Sequence, residues 1–130
     1  MTMATPATLG LDPLPAGVDI KISEPLIVEI ATADGIFVKQ MWIRNAGTFI
    51  PQHKHVWDHT SALLRGSCFV WRDGKLDQRY VAPALIFVAK GVAHTFLALE
   101  DDTVIYCLHN LHGADKVAVL DDLDLLDEVA

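Results

Sequence analysis

Two Asp-Gly pairs, Asp34-Gly35 and Asp73-Gly74, constrain this chain more than any other feature, because each stands between two segments rich in β-branched and aromatic residues. A two-residue reversal between antiparallel strands needs positive φ, which glycine adopts without strain and aspartate tolerates. The spacing predicts a hairpin joining Pro25–Thr32 to Ile36–Arg44 and another joining Ser67–Arg72 to Leu76–Val81. Further short runs keep the same rhythm. Phe49–His55 follows the turn Asn45-Ala46-Gly47, Ser61–Leu64 precedes Arg65-Gly66, and the continuous apolar run Ala84–Ala89 precedes Lys90-Gly91. His94–Leu99 and Val104–Leu108 read as a last pair around Glu100-Asp101-Asp102. With no helical period before residue 113 and no repeat of solenoid length, the expected class is all-β, a sandwich or barrel. Both faces of Ile36–Arg44 are largely apolar, so one is expected on the core and the other under another sheet or subunit.

The 130 residues make one domain's worth of chain, and 52% hydrophobic with 21% charged residues is a globular composition. Residues 1–17 carry Pro6, Pro13 and Pro15 and no period of either kind, which reads as a flexible N-terminal arm. Residues 18–112 form the β domain. In 113–130, Val119, Leu123, Leu126 and Val129 recur at helical spacing with acids between them, the pattern of a short amphipathic C-terminal helix or of a frayed tail. That segment holds six acids and one base, so −5 of the formal charge of −7 lies there. It reads as a solvated face, with a partner-binding tail as the alternative. No basic patch points to nucleic acid, and no apolar run is long enough for a membrane span. The N-terminus lacks the basic start and apolar block of a secretion signal, so a cytoplasmic location is expected. Cys68 and Cys107 lack CxxC spacing and are expected as free, half-buried thiols.

Histidine supplies the chemistry. His53 and His55 sit at i and i+2, on one face of an extended segment. His59 joins them if the chain turns back after Trp57 and Asp58, and His94 can arrive from a neighbouring strand. With 6 histidines in the chain, chance produces a His-x-His-x3-His pattern about once in a hundred such sequences. The competing reading is of surface histidines on a polar loop. His109 and His112 form a separate His-x2-His pair with no carboxylate or cysteine to complete a second metal site.

Gly47-x5-His53-x-His55-x3-His59-x6-Gly66 resembles the first motif of the cupin superfamily, with His59 where most members have glutamate. Gly91-x2-His94 resembles the second, although Pro83, Ala89 and Ala98 replace its usual glycine, proline and asparagine. The resemblance spans Ile36 to Leu108. It implies a small double-stranded β-helix, a jelly-roll barrel, holding one divalent metal on His53, His55, His59 and His94. It also implies a homodimer, and the histidine at 59 is similar to the all-histidine sites of small single-domain cupins, some of which bind manganese.

Four neutral imidazoles leave the ion's +2 charge uncompensated, which favours an anionic ligand. Imidazole suits zinc, copper, iron and nickel, and the resemblance adds manganese; of these five, iron or manganese is favoured. Two open coordination positions would serve a Lewis acid or an oxygen-activating centre. The function this points to is a non-haem dioxygenase acting on a small enolisable or phenolic substrate. A metal-stabilised binding or sensor module, and an isomerase or lyase, are the alternatives. Phe49, Trp57, Trp71 and Phe96 are candidates for an apolar pocket wall, and Gln52 and Asp58 for orienting ligands.

Overall fold

The structure, a computed structural model, describes residues 2–14, 20–22, 26–53 and 59–110, with the backbone alone at 2–4, 21–22, 33, 51–53 and 59. The strands are β1 (Thr2–Ala4), β2 (Ile20–Ile22), β3 (Leu26–Ala33), β4 (Ile36–Ile43), β5 (Phe49–His53), β6 (His59–Arg65), β7 (Ser67–Arg72), β8 (Lys75–Val81), β9 (Ala84–Val88), β10 (His94–Ala98) and β11 (Thr103–Asn110). They form a four-stranded antiparallel sheet in the order β5-β10-β7-β8 and a five-stranded one in the order β3-β4-β11-β6-β9; β1 and β2 make a small ribbon. The two Asp-Gly turns lie where the sequence puts them. Asp34 and Gly35 have φ of 50° and 75°, and Asp73 and Gly74 have 51° and 81°, the paired positive values of a type I′ turn.

Between the sheets lies the main core, with Ile50, Cys68, Val70, Phe96 and Ala98 from one side and Met41, Ile43, Leu63, Ile86, Val88 and Ile105 from the other. Strand alternation generates it. On β4, Phe37, Lys39, Met41 and Ile43 are buried while Val38, Gln40 and Trp42 on the opposite face are half-buried. The outer face carries polar fastenings as well: Tyr106 donates to Gln40, and the Trp42 indole donates to Asp102 at 2.9 Å with Arg44 4.8 Å from its ring.

Within 1–17, the described residues 9–14 pack against the four-stranded sheet. Leu11 is 5% exposed in a second core with Ile20, Phe49, Trp71 and Leu97, on the far side of the four-stranded sheet. Asp12 fixes it, accepting from the Trp71 indole on its carbonyl at 3.0 Å and from the Leu76 amide on its carboxylate at 3.1 Å. No periodic signal marks such a segment, because it packs through isolated side chains and backbone groups. The last predicted pair is not a pair. Strands β10 and β11 belong to different sheets, since a turn signal says where the chain reverses and not whether it stays in one sheet. Strand β9, the continuous apolar run of the sequence, is buried on one face and exposed on the other: Ile86 and Val88 are at 1%, but Leu85 and Phe87 are 75% and 57% exposed at the sheet edge. The correction to the pocket wall is taken up with the site. The expected C-terminal helix, with the acidic segment 113–130, lies outside the described residues, as does His112.

Candidate functional site

Strand β10 brings His94 into the space between the sheets, fully buried, on the same face as Phe96 and Ala98. Its ring meets Phe96 edge-on at 5.7 Å, and its Nδ1 lies 3.4 Å from the Val92 carbonyl. Protonation at Nδ1 leaves the lone pair on Nε2, the arrangement a metal ligand needs. Burial pushes the His94 pKa from 6.5 down to about 4; the Val92 carbonyl opposes this, and the positive charges of Lys39 and Arg72 add to it. At neutral pH the ring is therefore uncharged.

The register around His94 depends on one irregularity. Phe96 pairs with Ile50 and Leu97 with Phe49, so regular pairing would set Gln52 opposite His94. A bulge intervenes, with two steps along β10 matched by three along β5, and it sets His53 there instead. Pro51, which cannot donate to the ladder, lies inside this irregular stretch. In the facing sheet, β6 begins at His59, whose partner on β9 is the buried Val88; two steps further, Ser61 pairs with buried Ile86. Ser61 and Leu63, both buried, border the space between the sheets. His55, Trp57 and Asp58 lie outside the described residues. Among the described residues no group of three or more His, Cys, Asp or Glu is positioned to hold a metal ion.

Of the predicted pocket wall, Phe96 faces the interior with His94. Phe49 and Trp71 do not: both belong to the cluster under the N-terminal segment, on the other face of the sheet. The reason is parity. On β7, Cys68 and Val70 point inward, so Phe69 and Trp71 point out.

The interior also holds polar residues that the sequence reading passed over. Lys39 is 1% exposed on β4, level with Cys107 on β11, which in turn pairs with Ser61 on β6. Ser61 Oγ and Cys107 Sγ are 3.4 Å apart. His109 is buried two residues along β11, its ring stacked at 4.7 Å on Phe37 and its Nδ1 2.9 Å from the Asn110 carbonyl. It is a strand residue of the interior row, not a loop histidine. The available signal was a single lysine in the otherwise apolar row Phe37, Lys39, Met41, Ile43. At the rim, Arg72, opposite His94 on β7, donates to the Phe87 carbonyl of the other sheet at 2.7 Å and to Asp77 at 3.1 Å. The Tyr80 hydroxyl, 2.6 Å from Asp77, holds that carboxyl below its usual range. A separate surface groove of about 200 Å³, lined by Ala62, Leu64, Pro83 and Leu85 among others, has no titratable group and can contribute only apolar contact.

No protein-family model matches the sequence, and no curated protein matches it. Solved structures do resemble the fold. KdgF from a Halomonas species is 21% identical, with a TM-score of 0.58 over 71% of this chain and 86% of that one. An RmlC-like cupin family protein with a double-stranded β-helix fold from Methanocaldococcus jannaschii is 13% identical, TM-score 0.58, over 68% of this chain and 82% of its own. A cupin superfamily protein from Desulfitobacterium hafniense is 12% identical, TM-score 0.59, over 78% and 92%. The fold is therefore a cupin-like double-stranded β-helix with two antiparallel sheets.

Proposed function

We propose that the protein binds one divalent transition metal, iron or manganese by preference, through His53, His55, His59 and His94. We propose further that it acts as a non-haem dioxygenase on a small enolisable or phenolic substrate. The observation that supports this most is the bulge in β5, which pairs His53 with His94 along the ladder, while His59 begins the facing strand β6 at the rung of buried Val88. Bulges are over-represented next to active sites, where they shift the register of the strand. The donor set fits the group. His94 is kept neutral by burial, as a ligand must be, and no described carboxylate is buried beside it to reduce the ion's charge.

When bound, the metal would supply Lewis acidity and a centre for oxygen chemistry. The chain's own contributions are separate. Phe96 and the apolar residues below it exclude water, the interior rows fix the rings, and the uncompensated positive charge draws an anionic substrate. Closure of the sheets into a barrel, a helix over 113–130 and a cytoplasmic homodimer belong to the same reading.

Elemental analysis of the purified protein tests the site first: one metal per chain is expected, and none in His55→Ala, with the β circular dichroism retained. Unchanged metal content in that variant would overturn the assignment. Anaerobic titration of the iron-loaded protein with diketones and flavonols, followed by oxygen uptake, tests the reaction. Stoichiometric metal without turnover on any of them would replace the dioxygenase by a binding module.

A further inference from the structure

Six large apolar side chains stand exposed among the described residues, and five of them belong to the five-stranded sheet: Ile27, Ile36, Leu64, Leu85 and Phe87, between 41% and 75%. On β4 and β9 the reason is parity. Ile36 alternates with buried Phe37, and Leu85 and Phe87 alternate with Ile86 and Val88 of the main core, so they face away from the other sheet. Among the described residues in the outward rows of β3, β4, β9 and β11 the only charge is Glu29, on the edge strand β3. An apolar face this wide marks a docking surface. Its groove of about 200 Å³ lies toward the opposite edge, where Ala62 and Leu64 of β6 meet Pro83 and Leu85. Arg65, exposed beside Leu64, is a cation at that edge.

We infer that the cover is this chain's own C-terminal segment, with 119–130 lying as a helix across the outer face of the five-stranded sheet and Leu123 and Leu126 packed at the groove. This rests on the C-terminal helix proposed above and goes beyond it in placing that helix; it does not require the metal. The chain leaves β11, the middle strand of the five, at Asn110, opposite Ile36. Tyr106 is level with Ala62, and Ala62 with Leu85, so the groove lies four residues back along β11 and two strands across, about 17 Å from Asn110. The eight residues 111–118 reach about 26 Å when extended. A helix of the twelve residues 119–130 is about 18 Å long, and five strands are about 19 Å across. Composition fits as well. Val119, Leu123 and Leu126 supply an apolar stripe, and Asp121, Asp124 and Glu128 on the opposite side turn to water, which exchanges a bare apolar face for a charged one. Asp127, beside Leu126, then falls on the side of Arg65 and away from Glu29 at the far edge. A second copy of the chain on this face would leave the stripe of 119–130 still to be covered, whereas a short linker holds the attached segment at an effective concentration of about millimolar order.

Hydrogen exchange of the 119–130 peptide is the test, in full-length wild type and in Leu85→Asp, a substitution at a side chain 75% exposed and so outside the core. An isolated helix of this length is marginal in water, so its amides are protected only while docked. Wild type is expected to show protection that falls severalfold in Leu85→Asp, with the oligomeric state by light scattering unchanged. The double variant Leu123→Asp, Leu126→Asp is expected to bind a hydrophobic dye more strongly than wild type and to melt about 5 °C lower. Protection in wild type that Leu85→Asp leaves intact overturns the placement and leaves the helix standing. No protection in wild type sinks both. A dimer that Leu85→Asp disperses while exchange at 119–130 stays the same assigns the face to a second copy and overturns the inference. Should Leu85→Asp fail to fold, the double variant decides: dye binding and a melting temperature equal to wild type overturn the docking. The metal is judged separately, by elemental analysis.

Discussion

Acid should weaken this fold through His94, by an amount that can be set in advance. The ring is fully buried, and its pKa falls from 6.5 to about 4 because burial disfavours the charged form. The unfolded chain therefore takes up the proton first as pH drops. Between 6.5 and about 4 the unfolded state carries more protons at this position than the folded one, and stability declines with falling pH. At about 1.4 kcal/mol per pH unit the whole gap is worth about 3 kcal/mol, present in full above 6.5 and gone near pH 4. Carboxylates titrate in the same range, so the reference is His94→Leu, which keeps them and removes the ring. Urea unfolding of metal-free wild type and variant is to be followed by circular dichroism from neutral pH down to about pH 4. Wild type should lose about 3 kcal/mol more than His94→Leu over that window, with the difference flat above the ordinary histidine pKa. A difference that stays within about 1 kcal/mol throughout would refute the placement of His94 in a dry interior.

Three further outcomes follow from packing. Gly66, between β6 and β7, has φ of 87°, and a Cβ there would come within 3.0 Å of the Thr103 Cα; Gly66→Ala should cost about 2–5 kcal/mol from left-handed strain and overpacking together. A melting temperature unchanged by it would show that the crossover is looser than the geometry says. Leu11→Ala should destabilise by about 2–4 kcal/mol, because Leu11 fills the second core against Trp71 and Leu97, whereas a loss below about 0.5 kcal/mol would mean that the segment is not docked. Burial pushes the Cys68 thiol up to about 12, so the native protein should leave it unreacted with a thiol reagent at mildly alkaline pH and release it only on unfolding. Rapid modification in the native state would contradict its place between the sheets.

Strand positions and turns were legible in the sequence because they depend on local chemistry. Asp34-Gly35 and Asp73-Gly74 need positive φ, and the runs around them alternate at a period of two whatever they pack against. The His-x-His spacing at 53 and 55 was visible for the same reason, since i, i+2 spacing on an extended segment is a local property. What the sequence could not carry is which sheet a strand joins and which face it turns inward. Strands β10 and β11 are neighbours in the chain and lie in opposite sheets, a choice made by long-range pairing. Phe49 and Trp71 are as aromatic as Phe96, yet parity along their strands directs them to the outer core. The bulge in β5 has no local marker beyond Pro51, and it alone sets His53 rather than Gln52 opposite His94. Lys39 looks like an ordinary strand lysine until the tertiary structure buries it on the inward face of β4. Backbone preferences are written residue by residue, whereas burial and register are decided only when distant segments compete for the same interior, and the chemistry proposed here depends on that second kind of decision.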